Sequence, residues 1–309
     1  YNIQPLIELL DDDETAEEAT AALSQITLVY DAFNDIVEKA KTNQYAKQIL
    51  QSWADGDWFS SKQPMAKEIK VVVFKVPGET NTDDLSPATE AWSRPDIPLH
   101  AKSMLVSKMP EGLKTLEELK KKGLPIAYVG DVVGTGSSRK SAINSVLWHM
   151  GEDIPYVPNK RQGGVVLGNK IAPIFFNTAE DSGALPIECD VDAMKMGDVI
   201  RILPFEGKIL TESGEKISQF ELRPSTMPDE IQAGGRISLI VGRALTDNAR
   251  ENLGLDFSDL FLRPEAQKDS KSGFTLAQKI VGKACGVAGI SPGIYCEPKI
   301  TSVGSQDTT

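Results

Sequence analysis

Through the first 55 or so residues, apolar positions fall at helical spacing. Leu6, Ile7, Leu9 and Leu10 form a short stripe behind Pro5. After Asp11-Asp12-Asp13, the spacing of Ala19, Ala22, Leu23, Ile26, Val29, Tyr30, Phe33 and Ile36 predicts an amphipathic helix starting near Thr15. Acidic residues crowd its start and Lys39 and Lys41 its end, as the helix macrodipole favours. A third helix, Tyr45 to Trp53, should stop at Gly56. Paired helices with short turns read as the last units of a helical array.

Near Ser60 the period changes. Ile69 to Val76 is a dense β-branched run closed by Pro77-Gly78, which predicts a buried strand. A polar loop from Gly78 to Pro98 follows, then a helix over Leu113 to Lys122, a strand over Pro125 to Val133 and a helix from Arg139 to Met150. Val165 to Leu167 and Ile171 to Phe176 are strand candidates. Val199 to Leu203 with Lys208 to Thr211 reads as a hairpin, followed by an alternation at Phe220-Glu221-Leu222, and Ile237 to Val241 as another short strand. Strands mixed with helices indicate an α/β or α+β domain. From Arg263 to Lys271 the chain turns polar and charged, as a linker would, before a helix over Thr275 to Cys285. The last segment is too small to bury a core and reads as the opening of another domain.

Two loops carry candidate chemistry. Gly134-Thr135-Gly136-Ser137-Ser138-Arg139 lies between a predicted strand and a predicted helix. Glycines let consecutive N–H groups converge, the helix start adds partial positive charge, and Arg139 adds a full one whose fork suits a carboxylate. A serine hydroxyl in that field can act as a base on a carbon acid. The residues alone describe an anion site for phosphate or carboxylate, and equally a capped helix start with a tight turn. The loop lacks the Walker Lys-Ser/Thr ending and the full GxGxxG. The second loop, Asn81-Thr82-Asp83-Asp84-Leu85-Ser86-Pro87 with Arg94 beyond it, reads by itself as Asx and Ser turns.

Composition narrows the classes. The 309 residues suggest two domains with partial ones at the ends. Hydrophobic residues at 40% and charged residues at 25% are ordinary for a globular protein. A net charge of −11 opposes non-specific binding to nucleic acid or anionic membrane. No apolar run is long enough to span a bilayer, and no signal peptide is visible at the start. The start at Tyr1 and the polar run Gly304 to Thr309 both read as cuts through a longer protein. Three cysteines (Cys189, Cys285, Cys296) without a CxxC, and two distant histidines (His100, His149), show no metal-ligand spacing. The cysteines read as structural, in a reducing, cytoplasmic compartment.

Taken together, the motifs resemble the aconitase and isopropylmalate isomerase family. Gly-x-Gly-Ser-Ser-Arg at 134–139 is similar to the active-site loop of the family's swivelling domain. Thr-Asp-Asp-Leu-Ser-Pro-Ala at 82–88, with Trp-Ser-Arg-Pro-Asp-Ile-Pro-Leu at 92–99, is similar to its other substrate-facing loop. Gly273 to Lys279, Tyr295 to Lys299 and Thr301 to Thr309 resemble the opening of the cluster-binding domains. A helical part first and the swivelling domain next is the order of B-type bacterial aconitases; in mitochondrial-type members that domain comes last. The resemblance covers essentially the whole chain.

The resemblance implies an α-helical HEAT-like segment over 1–59, an α/β swivelling domain of β/β/α type over 60–262, and a linker with the opening of the iron–sulfur domain over 263–309. It implies a hydro-lyase that interconverts citrate and isocitrate through cis-aconitate, and leaves 2-methylisocitrate as a further substrate. Ser137 resembles the serine base, Ser138, Arg139 and Arg94 the substrate-carboxylate contacts, and Asp83 a carboxylate that orients a histidine of another domain. Gln306, Asp307 and Thr308 resemble the first substrate loop of the cluster domain. Lys140 departs from the glutamate common after the arginine. The [4Fe–4S] cluster of the whole enzyme is implied to lie outside this chain, since the family's Cys-x-x-Cys motif is absent, so the chain alone is expected to be inactive. Implied partners are the tricarboxylate, the remaining cluster domains, a homodimer partner at the helical domain and, in a cluster-free form, RNA. Two other readings stand beside this one: an RNA-binding regulator, which the charge opposes, and an isopropylmalate isomerase small subunit, which the flanking segments oppose.

Overall fold

A computed structural model describes residues 3–263, 273–292, 294 and 296–304. It divides into two compact units, one of residues 1–223 with 227–261 and one of 224–226 with 262–309.

The first unit opens with a short helix Ile3–Glu8, then α1 (Ala16–Gln25), a 3-10 stretch Thr27–Ala32, a short helix Phe33–Lys39 and α2 (Gln44–Asp55). The amphipathic helix expected to run from Thr15 through Ile36 is therefore broken, at Ile26, where the backbone is extended (φ −89°, ψ 102°). Neither Gly nor Pro marks the break. Packing makes it: Val29 in the 3-10 stretch is fully buried in the helical core, and the Tyr30 hydroxyl accepts a hydrogen bond from Asn248 at 3.2 Å. Helix α2 is well specified locally. The Asn43 side chain accepts the N–H groups of Tyr45 and Ala46 at 2.9 and 3.0 Å and donates to the Leu10 carbonyl at 2.8 Å. Gly56 then ends the helix in the left-handed region (φ 72°).

Nine strands and five longer helices follow within this unit, among the described residues: β1 (Ile69–Asn81), α3 (Gly112–Lys120), β2 (Ile126–Thr135), α4 (Arg139–Met150), β3 (Glu152–Ile154), β4 (Val157–Gln162), β5 (Val165–Ile171), α5 (Pro173–Asp181), β6 (Leu185–Glu188), β7 (Val199–Leu203), β8 (Lys208–Thr211), β9 (Lys216–Gln219), α6 (Met227–Ala233) and α7 (Arg236–Asn252). Seven strands form one mixed sheet in the order β6-β5-β2-β1-β7-β8-β9, while β3 and β4 make a separate ribbon. β1, β2, β5 and β6 are parallel; β7, β8 and β9 add antiparallel to the β1 edge.

The run at Ile69 to Val76 is continuously apolar because both faces of β1 are covered. Successive side chains point to opposite faces of a strand. Val72, Phe74 and Val76 meet α3, α4 and α5 through Leu116, Val146 and Phe175. Val71 and Val73 join Ala127, Val129, Leu167, Ile200 and Met227 on the other side.

Two strand expectations are overturned. The segment Ile171 to Phe176 holds only the last residue of β5; Pro173 then starts α5, because proline's fixed φ and missing N–H suit the first helical turn. Ile237 to Val241 lies inside α7, a helix of 17 residues. Its local run of β-branched residues looks like a strand, but its buried face is set by tertiary contact. Leu245 and Ala249 complete the core of the N-terminal helices. Gly242 lets the Trp58 ring lie directly on the helix, since a Cβ there would come within 2.3 Å of it, and the Trp58 indole donates to Thr246 Oγ1 at 2.9 Å. The helical segment thus borrows a helix from nearly 200 residues downstream for its core.

In the second unit, α8 (Leu276–Ala284) begins with a reciprocal cap between Thr275 and Gln278. The expected linker lies outside the described residues from position 264 on, and so do Tyr295 and the last five residues. Among the described residues no helix is long and apolar enough to cross a membrane.

Candidate active site

The two sequence loops meet at the carboxyl ends of the paired parallel strands β1 and β2, where open α/β sheets place their ligands. Asn81 is in register with Thr135, and the Thr135 hydroxyl donates to Glu79 at 2.7 Å. Beyond β1 a single turn, Thr82–Leu85, is capped reciprocally by Asn81 and Asp84. This cap turns Thr82 inward to a fully buried position, where its Oγ1 accepts the Ser138 N–H at 3.2 Å.

Two glycines make that contact possible. Gly134 has φ 79°, and a Cβ there would lie 2.1 Å from the Phe175 ring. Gly136 has φ 103°, and a Cβ would lie 2.6 Å from Thr82 Oγ1. Both need the left-handed freedom of glycine and its lack of a side chain. With them the loop folds down onto Phe175 and Thr82 and releases Ser137, Ser138 and Arg139 at the start of α4.

The electrostatics of that start suit an anion. Ser138 occupies the cap position but its side chain makes no capping hydrogen bond, and the first turn holds no acidic residue. Arg139 and Lys140 occupy it instead, against the ordinary dipole preference, so dipole and cations share one sign. Ser137 is exposed, and its carbonyl accepts from the Arg139 N–H at 2.9 Å and from Arg139 Nη1 at 3.1 Å.

Arg94 reaches the same region from the other loop. Its Nε donates to Glu90 Oε2 at 2.8 Å and its Nη1 to the Leu99 carbonyl at 3.5 Å. Arg94, with help from the Ser93 hydroxyl, holds the Glu90 carboxyl below the usual range. Arg94 and Ser138 line one cavity of 330 Å³ together with Ser86, His100, Asn144 and Ser145. Ser137, on the adjoining loop, and Arg139, the first residue of α4, are not among its lining residues. Asp83 is exposed on the capped turn. Gln306, Asp307 and Thr308 lie outside the described residues.

The structure adds residues to which the sequence reading gave no role. Ser86 is buried and shares a 2.8 Å hydrogen bond with His100 Nε2, fixing one wall of the cavity. His100 directly follows the Pro-Leu that closes the second motif, so its place in the motif was the available signal. Thr82 heads the 82–88 motif, but nothing in the sequence marks its hydroxyl as the bridge between the two loops. A larger cavity of 510 Å³ lies at the opposite, amino ends of the parallel strands, lined by Ile69, Ile126, Val165 and Leu185.

No set of three or more His, Cys, Asp or Glu able to hold a metal converges among the described residues. Cys189 is buried in the sheet core, and Cys285 and Cys296 belong to the second unit. An iron–sulfur cluster needs several thiolates around one space, and the described residues do not fit it.

Residues 71–274 match the family described as aconitate hydratase 2 N-terminus, and residues 1–59 the aconitate B N-terminal domain. The chain belongs to the aconitate hydratase B family. It is 66% identical over 311 residues to aconitate hydratase B of Synechocystis sp. and 60% identical over 322 residues to that of Escherichia coli, each alignment covering all of this chain. It spans 36% and 37% of those relatives' lengths. A crystal structure of 3-isopropylmalate dehydratase from Methanocaldococcus jannaschii superposes with a TM-score of 0.44 at 21% identity, over 59% of this chain and 99% of that one. The second family match ends just short of Ser60, where the hydrophobic period changes. The loops at 82–88 and 134–139 both fall within the first.

Proposed function

We propose that this chain supplies the substrate-clamping part of an aconitate hydratase, a hydro-lyase acting on a tricarboxylate. The observation that carries the reading is the one cavity lined by both Arg94 and Ser138, at the carboxyl ends of β1 and β2, where the buried Thr82 hydroxyl accepts the Ser138 N–H and ties the two motif loops together. In this reading Arg94, Ser138 and Arg139 hold substrate carboxylates, and the guanidinium forks match carboxylate geometry. Ser137, exposed at the positive start of α4, takes the proton from the carbon next to a carboxylate and returns it on the other face of the reaction. A hydroxyl is a poor base in water, and the local positive field is what favours its alkoxide. Asp83 acts as a positioning carboxylate for a group outside this chain. Gln306, Asp307 and Thr308 are assigned as substrate contacts on the family resemblance alone.

The full-length protein would carry the iron–sulfur cluster on its remaining domains and interconvert citrate and isocitrate, with 2-methylisocitrate as a further substrate, in the cytoplasm. The remaining domains are this chain's principal partner. The homodimer and RNA partners of the sequence reading have no observation here that favours them.

Ser137→Ala in the full-length protein tests the proposal. Removing a positioned acid–base group should lower kcat by about 10²–10⁴-fold, with the cluster's absorbance unchanged. Near-normal turnover would mean that another group is the base.

A further inference from the structure

The second unit contains two cysteines that the proposed chemistry does not use. α8 is capped at its carboxyl end by Cys285, whose N–H bonds back to the Val281 and Gly282 carbonyls. The chain then returns over the same helix. Ile290 N–H donates to the Gln278 carbonyl at 3.1 Å, and Lys299 N–H donates to the Ala284 carbonyl at 2.8 Å. Two glycines allow the return. A Cβ on Gly282 would lie 2.4 Å from Gly289 Cα, and one on Gly289 would lie 2.3 Å from the Phe274 ring. The backbone pairing of Lys299 with Ala284 brings Cys296 back beside Cys285, near enough for the two thiols to influence each other. Both residues are partly exposed, unlike Cys189, which is buried in the sheet core.

We propose that Cys285 and Cys296 form a redox-active dithiol, oxidised to an intramolecular disulfide by peroxide or by a small disulfide such as oxidised glutathione. With peroxide, one thiolate attacks an oxygen and becomes a sulfenic acid while the other oxygen leaves as water. The second thiol then displaces the sulfenic oxygen as a second water and the S–S bond forms. Two thiols lose two electrons and the peroxide gains them. With a small disulfide, one thiolate forms a mixed disulfide and releases one small thiol, and the second cysteine releases the other. Burial and the neighbouring Cys285 thiol hold Cys296 above the ordinary thiol range, so exchange quickens as pH rises through the alkaline range. The link closes the loop that returns over α8. The inference is independent of the proposed catalytic role.

Trypsin cleavage after Lys283 and Lys299 leaves both cysteines on one peptide, residues 284–299. The folded 309-residue chain should be titrated with oxidised glutathione, alkylated without reduction, and mapped by mass spectrometry. The expected result is a 284–299 peptide that resists alkylation and is lighter by two hydrogens, while the Cys189 peptide is still alkylated. Cys285→Ser and Cys296→Ser should each abolish that species and give a stable mixed disulfide on the remaining thiol. Unlinked Cys285 and Cys296 at full oxidant, or a link from either to Cys189, would overturn the proposal. Chain unfolded in urea serves as the reference. An equal tendency to link when unfolded would also overturn it, because the fold would then contribute nothing to the pairing.

Discussion

Replacing Glu180 with Gln should flatten the dependence of stability on pH above about pH 5. Glu180 lies on α5 with its side chain only 3% exposed, where α5, α6 and α7 meet. Arg236 of α7 faces it at 3.3 Å and also pairs with Asp181 at 2.9 Å. Burial, then the nearby Glu230 carboxylate of α6, outweigh the pull of Arg236, and with Asp181 adding to the repulsion the Glu180 carboxyl is pushed from 4.5 up to about 8. A folded value above the unfolded one means that the folded chain keeps a proton the unfolded chain gives up. The stabilisation is complete below pH 4.5 and is lost as pH rises through about 8.

Each pH unit between those limits costs at most about 1.4 kcal/mol, so the window amounts to about 5 kcal/mol at its ceiling, and sharing of charge with Glu230 lowers it to about 2–5 kcal/mol. Burial holds His149 below the usual imidazole range, which tilts the profile the opposite way below 6.5. The readout is therefore the difference between parent and variant. Urea unfolding followed by tryptophan fluorescence suits the purpose, since Trp53 and Trp58 are fully buried in the same unit. The parent should lose stability from about pH 5 to pH 8 relative to Glu180→Gln, and the variant should be the more stable at the upper end. Parallel profiles would refute the reasoning, because they would show Glu180 ionised in the folded state.

Two further predictions concern the candidate site. Gly134→Ala combines a left-handed φ with overlap of the Phe175 ring, and should destabilise by about 2–4 kcal/mol; Gly123→Ala, at φ 69° with open space around it, should cost only about 1 kcal/mol, and equal losses in urea titrations would remove the Phe175 contact as the cause. In the full-length protein, Arg139→Lys should raise KM for the tricarboxylate by about 10–100-fold with a smaller effect on kcat, since a point charge cannot replace a bidentate fork, and an unchanged KM would count against the clamp.

What the sequence determined by itself is local. Periodicity located α2 and β1, because burial on both faces of β1 demands an unbroken apolar run and a helix stripe demands its own spacing. The glycine loop stood out as a candidate anion site because its chemistry sits in six consecutive residues at a strand-to-helix junction, and the two loop motifs with the order of segments pointed to the family. What only tertiary structure decided is longer in range. A run such as Ile237 to Val241 fits a strand or a buried helix equally well, and only the partners of α7 on the N-terminal helices and on Trp58 choose between them. The break at Ile26 comes from packing and has no residue to announce it. The site itself required the fold, because Thr82, Arg94 and Ser138 come together only when two parallel strands, separate in sequence, end side by side.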